Sequence, residues 1–180
     1  MIKIMFKKQI KKSNVLISLV FLVLISFTFL IVSHINGSQN FNSQKEKATL
    51  TKYVDGDTFY CDTDTQQNIM VRLIGVDTPE SVRSDSSKNT QEGIIASNYI
   101  KQILPIGSTL YLEQDTNLKD KYGRELRYVW LHDTDDISVS SIQINMLNGI
   151  LLKQKLAKTL FVKPNTKYKT QFLTIENKNN

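Results

Sequence analysis

Cysteine is almost missing from this chain of 180 residues. Cys61 stands alone, so no intrachain disulfide can form and any folded part must be held by its apolar core. With only two histidines beside it, His34 and His132, no cluster supplies the nitrogen and sulfur ligands that zinc takes. Three prolines, seven glycines and no repeat of any period exclude collagen, coiled coil and solenoid. Acid is absent from residues 1–37, and residues 141–180 carry a single one, Glu176, against seven lysines. The net charge of +6 and pI of ≈ 9.3 must be read with that distribution in mind. Lys3, Lys7, Lys8, Lys11 and Lys12 supply five of the charges, while residues 38–140 hold 11 basic against 16 acidic groups. The part after residue 37 is polarised rather than basic, and pI alone does not name its partner.

From Ser13 to Ser33 no residue is charged, and Val, Leu, Ile and Phe dominate. As a helix this stretch reaches roughly 30 Å, the thickness of a bilayer core, and it lacks the polar face that a buried core helix needs. Residues 13–35 are therefore expected to be a transmembrane anchor or a signal peptide, with residues 1–12 cytoplasmic and the rest exported. The run is longer than a usual signal core, and Ser33, Gly37 and Ser38 form a poor cleavage pattern, which favours an uncleaved anchor over secretion after cleavage near Gly37/Ser38. Residues 36–47 read as a flexible linker, and 48–180 as one domain.

Within that domain, Tyr53-Val54 and Thr58–Cys61 flank Asp55-Gly56-Asp57, Gln67–Val76 is an apolar strand, and Leu110–Glu113 and Leu126–Leu131 are two more. Apolar residues at helical spacing predict helices from Thr90 to Leu104, from about Ile142 to Lys155, and from near Thr170. Short strands with single helices inserted and appended indicate an α+β, mainly β, small barrel. Cys61 falls on an alternating strand, where it serves as a small buried hydrophobe.

Three patterns carry chemistry. Asp55-Gly56-Asp57-Thr58 places two carboxylates two residues apart on extended chain, a poor choice for a strand unless a cation lies opposite. Arg72–Glu80 begins as an apolar strand with an inward arginine, which needs a planar anion, and ends in two acids bracketing Thr78-Pro79. Asp120–Arg124 supplies a second arginine on a tight turn. Oxygen ligands from Asp57, Asp77 and a nearby carbonyl suit a hard cation. Arg72 and Arg124 can clamp a phosphate and its transition-state charge, leaving Glu80 to activate water.

In order and separation these three segments resemble the staphylococcal nuclease, or thermonuclease, family, over about Ala48 to Ile175. The resemblance implies a five-stranded barrel of the OB type with about three helices. It also implies Ca²⁺-dependent hydrolysis of single-stranded or fraying DNA and of RNA to 3′-phosphorylated products, by a monomer that needs no protein partner. By matching positions it makes Asp57, Asp77 and the Thr78 carbonyl the calcium ligands. Arg72 and Arg124 become the phosphate-binding arginines, Glu80 the general base, and Lys121 and Tyr122 holders of a terminal phosphate.

The chain departs from that pattern at four places. Lys155 stands where a glycine ends the second helix, at a cost of roughly 1 kcal/mol if the left-handed cap is kept. Thr159–Lys163 lacks tyrosines, so a hydroxyl contact is expected to go while ring stacking through Phe161 survives. A long hairpin from His132 to Ile144 carries Asp133, Asp135 and Asp136 as a solvated loop. The last helix is barely two turns and depends on docking of Phe172 and Ile175, which puts the stability of the domain in question. The competing readings are a catalytically silent nucleic-acid-binding OB module and a surface adhesin, and neither needs Asp57, Arg72, Asp77, Glu80 and Arg124 together.

Overall fold

The computed structural model describes residues 45–79 and 90–178. Five strands close a barrel in the order β1 (Glu46–Asp55), β2 (Thr58–Thr63), β3 (Ile69–Leu73), β6 (Glu125–Trp130) and β5 (Thr109–Glu113), with β5 returning to β1. Only the β3–β6 pair is parallel. Strand alternation sends Leu50, Cys61, Val71, Leu110 and Val129 to the barrel interior, all of them fully buried. Residues 46 and 47, expected in the linker, already pair with Leu112 and Tyr111, so the barrel starts earlier than the sequence suggests. The expected membrane segment and its cytoplasmic flank lie outside the described residues, among which no helix is long and apolar enough to cross a membrane.

The long apolar strand expected over Gln67–Val76 is broken. Gly75, at φ +77°, turns the chain out of the barrel into β4 (Gly75–Asp77), which pairs with β7 (Lys158–Leu160) as a separate two-stranded sheet. That φ favours glycine, and a Cβ there would lie 2.9 Å from the Phe172 ring.

Helix α1 (Gln91–Ile103) has Thr90 as its N-cap, the hydroxyl accepting from the Gly93 amide at 3.0 Å. The single helix expected over 142–155 is two, α2 (Val139–Asn145) and α3 (Leu147–Lys153), so the described residues hold four helices rather than three. The break is at Met146, which takes extended φ/ψ and bridges to Trp130. The expected hairpin after His132 is in fact a loop leading into α2, with Asp133 and Asp135 each 3.7 Å from the Lys45 ammonium. Helix α4 (Lys169–Lys178) is short, but Phe172 and Ile175 are fully buried. Phe172 packs in an aromatic cluster with Tyr128 and Tyr168, and Glu176 accepts from the Thr159 amide and hydroxyl at 2.9 and 2.6 Å. The terminal helix is therefore bolted to the sheet by both apolar and charge-assisted contacts.

Candidate active site

The turn between β1 and β2 is held against the segment that follows β4. Gly56 has no side chain to keep the two apart, and a Cβ on it would sit 2.8 Å from the Thr78 hydroxyl. Asp57, only 6% exposed, uses that proximity: its Oδ2 accepts from the Thr78 amide at 3.0 Å and the Thr78 hydroxyl at 3.1 Å, and its Oδ1 from the Thr58 hydroxyl at 3.0 Å. A carboxylate buried this deeply calls for a cationic partner besides its hydrogen bonds.

Arg72 supplies it. From β3 its Nη2 reaches Asp57 Oδ2 at 3.1 Å and Asp77 Oδ1 at 2.8 Å, while Nη1 donates to the Leu73 and Val76 carbonyls at 2.9 and 2.8 Å. The bend at Gly75 makes this possible, because it carries the Val76 carbonyl and Asp77 back around the guanidinium. The arginine expected from the sequence to point inward lies instead on the face opposite Val71 and Leu73, outside the barrel, and finds its planar anionic partners there. Two carboxylate oxygens converge on one nitrogen, and Asp77 keeps 56% of its side chain exposed. These hard donors, open on one side to solvent, fit a calcium-type cation that completes its shell with a carbonyl, water and substrate. Among the described residues no group of three or more His, Cys, Asp or Glu side chains gathers to hold a metal without such help.

Arg72 also lines one wall of a cleft of ≈ 540 Å³. The turn from Asp120 to Arg124 lines the same cleft and brings Lys121, Tyr122 and Arg124 to it. Asp120 organises that turn: Oδ1 accepts from the Tyr122 and Arg124 amides at 2.9 and 3.0 Å, and Oδ2 from Arg124 Nε at 2.7 Å. Burial pushes the Asp120 carboxyl up, but the Arg124 side chain, together with the Arg124 and Tyr122 amides, outweighs it and holds the carboxyl below its ordinary value of 3.8. Tyr122 is 72% exposed, with Lys121 Nζ 5.0 Å and the Arg124 guanidinium 5.5 Å from its ring centre.

The structure therefore brings Arg72, Lys121, Tyr122 and Arg124 around one cleft and joins Asp57, Asp77 and Thr78 to it through Arg72. Glu80 lies outside the described residues. The expected ring stacking by Phe161 is not found: its ring packs on Phe172 at 6.3 Å and carries Lys169 at 5.7 Å, while Leu160 and Val162 face the cleft. Phe161 follows the end of β7 at Leu160, and its ring is taken up by Phe172. Two asparagines escaped the sequence reading. Asn165, 3% exposed, ties the start of the arginine turn to the segment after β7 by exchanging hydrogen bonds with the Asn117 backbone at 2.7 and 2.8 Å. Asn148, fully buried, accepts from the Val129 amide at 3.1 Å and donates to the Ile74 carbonyl at 2.8 Å, fixing the bend before Gly75. For Asn148 the available signal was a single amide inside an apolar run.

Residues 70–180 match the family described as staphylococcal nuclease homologue. The chain is 38% identical over 155 residues to a thermonuclease of Staphylococcus intermedius, covering 83% of this chain and 84% of that protein. It is 39% identical over 133 residues to a thermonuclease of Staphylococcus hyicus, covering 73% and 69%. It is also 30% identical over 117 residues to the endonuclease YhcR of Bacillus subtilis (strain 168), covering 63% of this chain and 9% of that one.

Proposed function

Because the chain belongs to the staphylococcal nuclease homologue family, we propose that it is a calcium-dependent nuclease that hydrolyses DNA and RNA outside the cytoplasm to 3′-phosphorylated products. The observation that carries this reading is that Arg72 and Arg124 line one cleft, with two carboxylates converging on Arg72. The nuclease names of the relatives agree with it. Residues 13–35 serve as the membrane anchor, or as a signal cleaved near Gly37/Ser38, and the working unit is a monomer. The support for the anchor is the uncharged run itself and the lysines before it.

Asp57, Asp77 and the Thr78 carbonyl would hold the calcium ion, which supplies neutralisation of phosphate charge when bound. Thr78 fixes the Asp57 carboxylate through its amide and hydroxyl, so that one ligand is oriented before substrate arrives. Arg72 and Arg124 take equatorial phosphate oxygens and stabilise the extra charge of the five-coordinate phosphorus. Glu80 accepts the proton of the attacking water, the bond from phosphorus to the 5′ oxygen breaks, that oxygen takes up a proton from solvent, and the products are a 3′-phosphate and a 5′-hydroxyl. Lys121 and Tyr122 hold the neighbouring phosphate at the cleft mouth. The test is incubation of the full chain with denatured DNA, and separately with RNA, in Ca²⁺ and then in chelator. Cleavage in Ca²⁺ that stops in chelator is expected. Cleavage persisting in chelator overturns the calcium role, and binding without cleavage in either condition assigns the chain to the silent OB modules instead.

A further inference from the structure

Strand β6 carries a buried arginine that the scheme above does not use. Arg127 is 5% exposed and Glu125 8%, and alternation puts both on the interior face of the barrel with Val129. Arg127 Nη2 donates to Glu125 Oε2 at 2.7 Å, and the other Glu125 oxygen lies 3.0 Å from Lys119 Nζ, which reaches it from the cleft wall. Arg127 Nη1 donates to the Leu126 carbonyl at 2.8 Å and to the Leu118 carbonyl at 3.2 Å. Its Nε is buried and has no partner among the described residues.

This is an expensive way to fill a barrel. A buried ion pair contributes little over an apolar pair of equal volume, and an unpartnered buried N–H is a direct loss. What the guanidinium adds is direction. The Leu118 carbonyl that it grips also receives the Leu126 amide at 2.8 Å, closing the turn at its base. Two residues further up, Asp120 and Arg124 close it again, by the Asp120 amide to the Arg124 carbonyl at 3.0 Å and by the carboxylate contacts already described. Arg127, Leu118, Glu125 and Lys119 thus form a strut under the segment that presents Arg124.

We propose that Arg127 is a positioning residue that holds the 118–126 turn in register so that Arg124 and Lys121 face the cleft. The inference rests on the reading of Arg124 as a phosphate ligand. The test is a double-mutant cycle in the full chain: Arg127→Met, Arg124→Ala and both together, with kcat and KM on denatured DNA in Ca²⁺. All are measured at a temperature where circular dichroism shows each variant folded. Arg127→Met is expected to lower kcat/KM about tenfold when Arg124 is present and less than about twofold when it is absent, because the two act as one unit. Arg127→Lys, which keeps a charge for Glu125 but loses the fork to Leu118, recovers only part of the loss. If Arg127→Met does not fold, the same cycle is run with Arg127→Lys. Equal losses in both backgrounds, or kcat/KM unchanged by Arg127→Met, overturn the proposal while leaving Arg124 its role. An Arg124→Ala variant of full activity overturns both.

Discussion

Lys155 is one of two non-glycine residues at positive φ among the described residues, the other being Asn68, and replacing it by glycine should stabilise the protein. Helix α3 ends in a Schellman motif: the Lys155 amide donates to the Leu152 carbonyl at 3.0 Å and the Leu156 amide to the Leu151 carbonyl at 2.9 Å. The motif requires a left-handed residue, and Lys155 adopts φ +59°. For a residue with a Cβ that conformation costs roughly 1–2 kcal/mol. Glycine removes the clash but gives back about 0.4–1 kcal/mol through the freedom it adds to the unfolded chain. The lysine side chain is exposed, so no packing is lost. The net gain is about 1 kcal/mol, or roughly 3–4 °C in Tm for a domain of this size. Urea denaturation followed by the Trp130 fluorescence should show the midpoint rising with the slope unchanged. Lys155→Ala should stay near the parent, since the Cβ rather than the charge is at fault, and Lys155→Asn should fall between. A glycine variant with an unchanged or lower midpoint would refute the reasoning, and so would an alanine variant that matched the glycine one.

The remaining expectations concern buried and perturbed groups. Glu113, 1% exposed, accepts from Trp130 Nε1 at 2.6 Å, Tyr168 Oη at 2.9 Å and the Lys167 ammonium; Glu113→Gln should cost about 2–3 kcal/mol in a chemical melt, and a loss under about 0.5 kcal/mol would remove the network from the stability argument. Asp120 has a carboxyl held below its unfolded value, so its contribution is complete above pH ≈ 3.8 and fades as pH falls through the lower folded value; stability measured across that acid window should lose part of its slope in Asp120→Asn. The Cys61 thiol, with no exposed surface, is pushed up to about 12 by burial and then by the charges of Asp62 and Glu46; iodoacetamide at pH 8 should leave the native protein unmodified and label it in urea, and rapid native labelling would contradict the barrel packing.

The residues that were legible from the sequence are those whose signal is local. Alternation marked the interior strands, and the Thr90 cap and Pro105 bracketed α1 within a residue. The misread elements are those in which a distant contact overrides a good local pattern. Ile142, Met146, Leu147 and Ile150 keep helical spacing through the break at Met146, yet the Trp130 bridge takes Met146 out of the helix. Gly149 then lets the two short helices approach so closely that a Cβ would meet the Ile142 carbonyl at 2.3 Å. The apolar run ending at Val76 gave no sign of leaving the barrel except Gly75, and a lone glycine in a strand has several meanings. In the site, the arginines and acids announced themselves because charged groups in apolar strands need a reason. Asn148 and Asn165 did not, because an amide is an ordinary residue until its partners, Ile74 and Val129 or Asn117, are known.

The same partners explain how a domain of nearly balanced charge can serve a polyanion. Three of the cations lining the cleft already have a carboxylate: Arg72 has Asp57 and Asp77, Lys119 has Glu125, and Arg124 has Asp120. In the proposed reaction an incoming phosphate would therefore exchange with a carboxylate for a share of each cation instead of adding to a bare charge. Exchange makes ground-state binding modest, because one ion pair is loosened as another forms. In the proposed reaction the balance would tip toward the phosphate as negative charge builds on phosphorus, so that the arginines would hold the transition state more tightly than the substrate. A surplus of free lysines would instead have tightened both equally and raised affinity without raising the rate. What the cleft needs is the opposite of a high pI: cations held in place by acids, at sites where a developing charge can displace them.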